Sequence, residues 1–213
     1  MKKIAILLSV ALLVCLVFTG CRSSQPQDTT GSTAPSTTQT QPSTTTQTQP
    51  SGMQDDASGS RQILEDIWAD YADDERFAVY GGTVDNSVSD GPGDLDMTNV
   101  EELTTAYLLP REQVESVEEG ASMVHMMNNN IFTSAVFKLT ATADEKTLVE
   151  SWRDNIQQNR WICGQPDRLL MVKVDESHIL MAFGSKEAME TFRGKVTALY
   201  PNAKTLYDGA VVV

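Results

Sequence analysis

The side chains best suited to covalent chemistry in this chain are Cys163, His125 and His178. A cysteine nucleophile needs a lowered thiol pKa, exposure to its substrate and a histidine partner. Cys163 follows the bulky apolar pair Trp161-Ile162, and each histidine lies inside or beside an apolar run typical of a strand. A Cys-His catalytic pair is one interpretation, and the apolar neighbours favour the other, in which Cys163 is a small buried side chain.

A second group of candidate ligands alternates along one segment, where Met123, His125 and Met127 could face the same side of a strand. Thioether and imidazole groups are ligands that suit Cu(I). Successive side chains on one face of a strand lie about 7 Å apart, which is too far for three of them to share an ion without bending. Methionine as a filler of the apolar core is the interpretation that we prefer.

The polar loop from 83 to 97 contains Asp85, Asp90, Asp94 and Asp96. An EF-hand calcium loop needs oxygen ligands at positions 1, 3 and 5, glycine at position 6 and glutamate at position 12. Counting from Asp85 puts the glycine one place late, and counting from the next residue puts a valine at position 3. The EF-hand pattern fails, which leaves an irregular calcium site or a solvated loop. The sequence therefore assigns no metal, no cofactor and no catalytic residue.

Four segments of residues 61–213 have apolar side chains at the spacing of an amphipathic helix. Polar residues able to accept hydrogen bonds from a first helical turn precede three of them, so we expect those helices to begin there. The first helix is expected from the stripe Ile63, Leu64, Ile67, Trp68 and Tyr71, and the other three are expected to begin at a capping box at Thr98 and Glu101, at a second capping box at Thr142 and Glu145, and at Ser185. Pro110 is expected to open a further helical turn that ends near Gly120.

Apolar and alternating runs between these helices predict strands over 77–80, 122–127, 134–140, 169–174 and 179–183. Turn-forming residues join the last four into two pairs, through Asn128 to Asn130 and through Asp175 to Ser177. Asp208-Gly209 predicts one more hairpin near the C-terminus. Strands joined by short turns pair antiparallel, so the sequence predicts an α+β domain with an antiparallel sheet and helices packed on one face.

The charge of residues 61–213 limits the partners of this domain. They contain 13 Lys and Arg against 26 Asp and Glu, a net charge of −13. Phosphate backbones bind clustered Lys and Arg, so the balance argues against nucleic acid. The same charge repels anionic lipid head groups and anionic wall polymers.

The N-terminus has the features of an export signal. Lys2 and Lys3 precede an apolar run from Ile4 to Phe18, which is shorter than the roughly 20 residues of a membrane-spanning helix. The stretch Phe18-Thr19-Gly20-Cys21 resembles a bacterial lipobox, although the usual motif has leucine where this chain has Phe18. The resemblance implies that residues 1–20 are a cleaved lipoprotein signal peptide. It also implies that Cys21 carries diacylglycerol and palmitate-type acyl chains, which anchor the protein to the extracytoplasmic face of the cell membrane.

A polar linker follows the predicted lipidation site and occupies residues 21–60. It consists almost entirely of Ser, Thr, Gln, Pro, Gly and Asp, and it contains Thr-Gln-Thr-Gln-Pro at 38–42 and at 46–50. Such a composition cannot bury enough apolar surface to offset the entropy of ordering. We expect a disordered stalk that spaces a single folded domain, residues 61–213, from the membrane.

Residues 99–199 are similar to an uncharacterised domain of Gram-positive lipoproteins, most clearly in MNNNIFTSAVFKL and RLLMVKVDESHILMAFGS. The resemblance implies a fold and a location but no functional residues. The sequence also lacks G-x-S-x-G, H-E-x-x-H, a phosphate loop and a dinucleotide fingerprint. We therefore expect a membrane-anchored lipoprotein that binds a small ligand or another envelope protein. The alternative is an envelope hydrolase or transferase with a dispersed active site.

Overall fold

A computed structural model describes residues 59–212 of the chain. The helices of this part are α1 Ser60–Ala69, α2 Val100–Thr105, α3 Glu145–Gln158 and α4 Lys186–Leu199. Its strands are β1 Val79–Gly81, β2 Val88–Ser89, β3 Gly93–Asp94, β4 Val117–His125, β5 Phe132–Leu139, β6 Arg168–Lys173, β7 His178–Gly184 and β8 Lys204–Ala210. The predicted signal peptide, Cys21 and nearly all of the predicted stalk lie outside the described residues.

The eight strands form one antiparallel sheet in the order β2-β1-β4-β5-β7-β6-β8, with β3 also paired to β4. The turn at 128–130 joins β4 to β5, and the turn at 175–177 joins β6 to β7, as the sequence predicts. Strand β7 lies between β5 and β6, and the chain reaches β6 from β5 through α3. The α+β class and the antiparallel sheet are confirmed.

The helices pack on both faces of this sheet, whereas the sequence pattern predicts them on one face. Leu170 and Val172 of β6 lie in an apolar cluster with α1 and α4. The alternate residues Leu169 and Met171 lie on the opposite face, in a cluster with Trp152 of α3. The physical reason is the composition of the central strands: all seven residues of β7 are buried, so the strand has no polar face to leave in water.

Two helices begin at residues other than those predicted. The side chain of Asn99, not Thr98, accepts a hydrogen bond from the N–H of Glu102 at the start of α2. Asp144, not Thr142, caps α3 by accepting from the N–H of Thr147. In both cases another good capping residue lies one or two positions nearer the apolar stripe. The predicted cap at Ser185 is confirmed, since its hydroxyl accepts from the N–H of Ala188.

Two predictions about turns are wrong. Asp208 and Gly209 lie within β8, opposite Leu170 and Leu169 of β6, and they form no hairpin. The six-residue turn after Pro110 ends at Ser116, and Gly120 lies inside β4. A side chain at 120 would meet the ring of Phe137 at 2.7 Å, so this glycine permits close packing in a strand.

Candidate binding surface

Cys163 is exposed in the loop between α3 and β6, so the prediction of a buried thiol is wrong. Its bulky neighbour Trp161 accounts for the difference. The indole of Trp161 packs edge-on against Phe183, with ring centroids 5.1 Å apart, whereas the side chain of Ile162 is 81% exposed. The backbone then passes through left-handed conformations at Cys163, with φ 59°, and at Gly164, with φ 104°. The chain thus turns inward at Trp161 and outward at the next two residues.

The two histidines are held by other partners. His178 is 1% exposed in β7, and its Nδ1 lies 2.9 Å from Oδ2 of Asp175. Burial opposes ionisation of Asp175, but the backbone N–H groups of Ser177 and His178 donate to its carboxylate and lower its pKa. His125 stacks on Phe77, and its Nδ1 accepts from the backbone of the following turn. Neither ring hydrogen-bonds Cys163 in the part of the chain that the structure covers, so no Cys-His pair is assembled there.

The alternating Met-His-Met segment does not form a copper site. Met123 is fully buried in the apolar cluster of α1 and α4, whereas Met127 is 82% exposed in the turn after β4. The interpretation of methionine as core filler is confirmed for Met123. It is wrong for Met127, which lies beyond the end of the strand and is left in solvent.

The four aspartates of the polar loop do not share a common ligand-binding arrangement among the described residues. Asp94 forms an ion pair with Arg61 at 3.3 Å, and Asp96 accepts from both the N–H and the hydroxyl of Thr98. Asp90 has a φ of 60° at the end of a short strand, and Asp85 is exposed. Among residues 59–212 no group of three or more His, Cys, Asp or Glu side chains could hold a metal ion.

Two loops, one between β4 and β5 and one between α3 and β6, carry large apolar side chains that are exposed to solvent. We call this surface the apolar tip; it consists of Met126 (46% exposed), Met127 (82%), Ile131 (38%) and Ile162 (81%). The first three lie in the β4–β5 turn, and Ile162 lies in the loop between α3 and β6. Several exposed apolar side chains on neighbouring loops are typical of interaction sites.

Asparagine side chains fasten the two loops of the apolar tip together. The side-chain amide of Asn128 donates to the carbonyl of Cys163 at 3.4 Å, and that of Asn130 donates to the carbonyl of Gly164. Within the turn, the Oδ1 of Asn128 also accepts from the N–H of Asn130 at 2.9 Å. Fixing the loops before a partner arrives lowers the entropy lost on binding.

The apolar tip is also free of charge within a strongly acidic protein. Residues 125–131 and 161–166 contain no Lys, Arg, Asp or Glu, whereas the chain as a whole has a net charge of −13. A neutral apolar surface on a protein of strongly negative net charge fits a partner that combines an apolar recess with basic residues.

The apolar tip is not evident from the sequence pattern. Met126 and Met127 read as the end of a buried strand, and Ile162 reads as a buried neighbour of Cys163. The signal available in the sequence was the run Asn128-Asn129-Asn130, because a tight turn there must expose the residues that flank it.

Exposure of Cys163 leads to a direct prediction about its reactivity. We expect the thiol of the native protein to react with iodoacetamide at about the rate measured in denaturant, since no packing shields it. The measurement compares the two rates for the peptide that contains Cys163, separated from Cys15 and Cys21 by mass spectrometry of the purified full-length chain. A native rate roughly a hundredfold lower than the unfolded rate would show that this loop is packed against the domain instead.

None of the helices in residues 59–212 is both long enough and apolar enough to cross a membrane. No family model, curated protein or solved structure matches this chain. The resemblance to an uncharacterised Gram-positive lipoprotein domain rests on the sequence features given above.

Proposed function

We propose that this protein is a lipid-anchored binding module of the cell envelope, which uses the apolar tip to engage another envelope protein. The observation that carries the proposal is the pair Met127 and Ile162. Both side chains are more than four-fifths exposed, and they lie on loops that Asn128 and Asn130 hold together. Isolated exposed apolar residues are ordinary, but two fixed loops that present four of them form a surface suited to burial in a partner.

Charge favours a protein partner over a lipid surface. The domain's excess of acidic residues repels anionic head groups at the distances where the neutral tip would touch a bilayer. A protein with basic residues around an apolar recess gains from both features: the charges accelerate the encounter, and the recess supplies the affinity. We therefore expect salt to slow association more than it speeds dissociation.

The surroundings of Cys163 support binding rather than the alternative of an envelope hydrolase or transferase. An activated thiol needs a base within hydrogen-bond reach. Within residues 59–212, His178 is committed to Asp175 and His125 to its own turn, and neither hydrogen-bonds Cys163. The thiol instead lies between Ile162 and Gly164 on the surface that we assign to the partner.

The anchor is the second part of the proposal, and it derives from the sequence before residue 59. Two acyl chains, each contributing about 0.8 kcal/mol per buried CH₂, would hold the protein at the membrane. The polar linker would then let the domain reach partners away from the lipid surface. As a flexible coil of about 40 residues it would extend roughly 35 Å on average.

Replacing Cys21 with alanine tests the anchor. We expect Cys21→Ala to abolish incorporation of labelled palmitate and to leave the protein unprocessed or released, because the acceptor thiol is gone. The matched control is Cys163→Ala, which removes the other thiol of the mature chain and should label like wild type. Partition of Cys21→Ala into detergent with wild-type mobility would contradict the lipoprotein assignment.

A further inference from the structure

A second candidate site is chemically different from the apolar tip. It is a cavity between α4 and the edge of the sheet. The cavity has a volume of about 260 Å³ and is lined by residues of α4, β6 and β8. Leu170 and Met189 are 2% and 3% exposed and form its apolar floor. Arg168, Arg193 and Asp208 form its polar wall.

The two arginines converge on one carboxylate. The Nη2 of Arg168 lies 2.6 Å from Oδ1 of Asp208, and the Nε of Arg193 lies 2.8 Å from its Oδ2. Each guanidinium has five N–H donors, and one nitrogen of each arginine lies beside an oxygen of Asp208. Within residues 59–212 the other N–H groups of these two arginines have no side-chain partner. The side chains of Arg168 and Arg193 are 40% and 60% exposed, so these donors are accessible to a ligand.

Opposite charges balance in the lining of the cavity. Arg168 and Arg193 line it together with Glu190 and Asp208, and Lys186, which lies outside the lining, pairs with Glu190 at 3.8 Å. A planar oxyanion is the ligand that two guanidinium groups bind best, because parallel N–H groups match its two oxygens.

An adjoining cavity offers further space beside Arg193. Its volume is about 170 Å³, it shares Leu170 and Arg193 with the first cavity, and its lining combines apolar residues such as Val172 and Val196 with the polar residues Thr197 and Thr205. A phosphate ion would leave this space empty, whereas a short alkyl chain would lie against the apolar part of the lining. We propose that the two cavities form a binding site for a short alkyl carboxylate, with the carboxylate on Arg168 and Arg193 and the chain along Leu170 and Val172.

Isothermal titration of the purified full-length chain with valerate, acetate and inorganic phosphate tests the proposal. Valerate should bind saturably and roughly tenfold more tightly than acetate, because its extra methylene groups lie against the apolar side chains of the adjoining cavity. Phosphate should bind more weakly than valerate. Failure to detect saturable valerate binding, or phosphate binding as tight as valerate binding, would overturn the assignment.

Variants separate a binding site from a set of ion pairs that merely fasten β8 to α4. Arg193→Gln should weaken valerate binding roughly tenfold, because it removes charge-assisted donors. Arg111→Gln is the control, since Arg111 pairs with Glu101 outside both cavities and should leave binding unchanged. Asp208→Asn should strengthen binding, because it removes the competing carboxylate while keeping its shape, and circular dichroism checks that the variant is folded. Equal valerate affinity in wild type, Arg193→Gln and Asp208→Asn would show that the ion pairs are structural only.

Discussion

Replacing Met127 and Ile162 together with aspartate is expected to abolish contact between this protein and its envelope partner. The two changes place two charges at the centre of an apolar interface, where each would lose its hydration without gaining a counter-ion. Both positions are more than four-fifths exposed, so the folded domain itself should tolerate the substitutions. We expect at least a hundredfold loss of affinity, in line with the loss of two central contacts.

A photoreactive maleimide on Cys163 supplies the assay. The labelled full-length protein is added to envelope membranes and irradiated, and the yield of each discrete adduct is compared between variants. Val84→Asp is the matched control, because Val84 is 83% exposed but lies outside the apolar tip. A protein adduct that Val84→Asp retains and the double variant loses supports the proposal. An adduct of equal yield in all three proteins, or adducts to lipid alone, would contradict it.

Trp152→Ala is expected to produce the largest loss of stability of any single substitution considered for this domain. Trp152 is fully buried on the face of the sheet that α3 covers, and its ring packs against Phe137 with centroids 5.4 Å apart. Its Nε1 also donates to the carbonyl of Tyr107 at 2.8 Å, which ties α3 to the segment after α2. Truncation leaves a cavity and an unpaired carbonyl, at a cost of about 3–5 kcal/mol in the free energy of unfolding.

Urea denaturation of the full-length chain measures this cost. Ile162→Ala is the control, because it removes a large apolar side chain that is exposed in the native state. It should change the free energy of unfolding by no more than about 0.5 kcal/mol. A loss in Trp152→Ala as small as in the control would mean that α3 contributes little to the core.

The apolar patterns of the sequence were sufficient to predict the main elements of this fold. The stripe that begins at Ile63 forms α1, and the turns at 128–130 and 175–177 join the expected pairs of strands. These features depend on residues close together in the chain, for which periodicity and turn chemistry are direct signals. The order of strands in the sheet depends on contacts between distant residues, and no local pattern specifies that β7 lies between β5 and β6.

Asp208-Gly209 shows how tertiary contacts override a local signal. The pair is a strong hairpin sequence, but Asp208 is held by Arg168 and Arg193, and Gly209 lies beneath the ring of Tyr207. These partners come from β6, α4 and β8, and they keep the chain extended along β6. The arginines gave no signal of their own because they lie 15 and 40 residues away from Asp208.

Cys163 shows the complementary error, in which apolar neighbours were taken as evidence of burial. Trp161 does pack inward against Phe183. The backbone at Cys163 and Gly164 is left-handed, and the side chains of Ile162 and Cys163 are exposed to solvent. A positive φ at a residue other than glycine is uncommon, and composition does not reveal it. The Ile162 part of the apolar tip was missed for this reason, since Ile162 directly precedes these two residues.

Alkylation of Cys163 in intact cells tests the central claim most directly. A maleimide that cannot cross membranes is applied to cells that produce the wild-type chain or the Met127→Asp, Ile162→Asp double variant, and each labelling rate is compared with that of the purified protein. The proposal predicts that the reagent reaches the wild-type thiol in cells but labels it more slowly than in the purified protein, because a partner covers the apolar tip. The double variant should be labelled at the purified rate in both settings. Absence of labelling in intact cells would contradict the extracytoplasmic location, and equal rates for wild type in cells and in solution would contradict the binding surface.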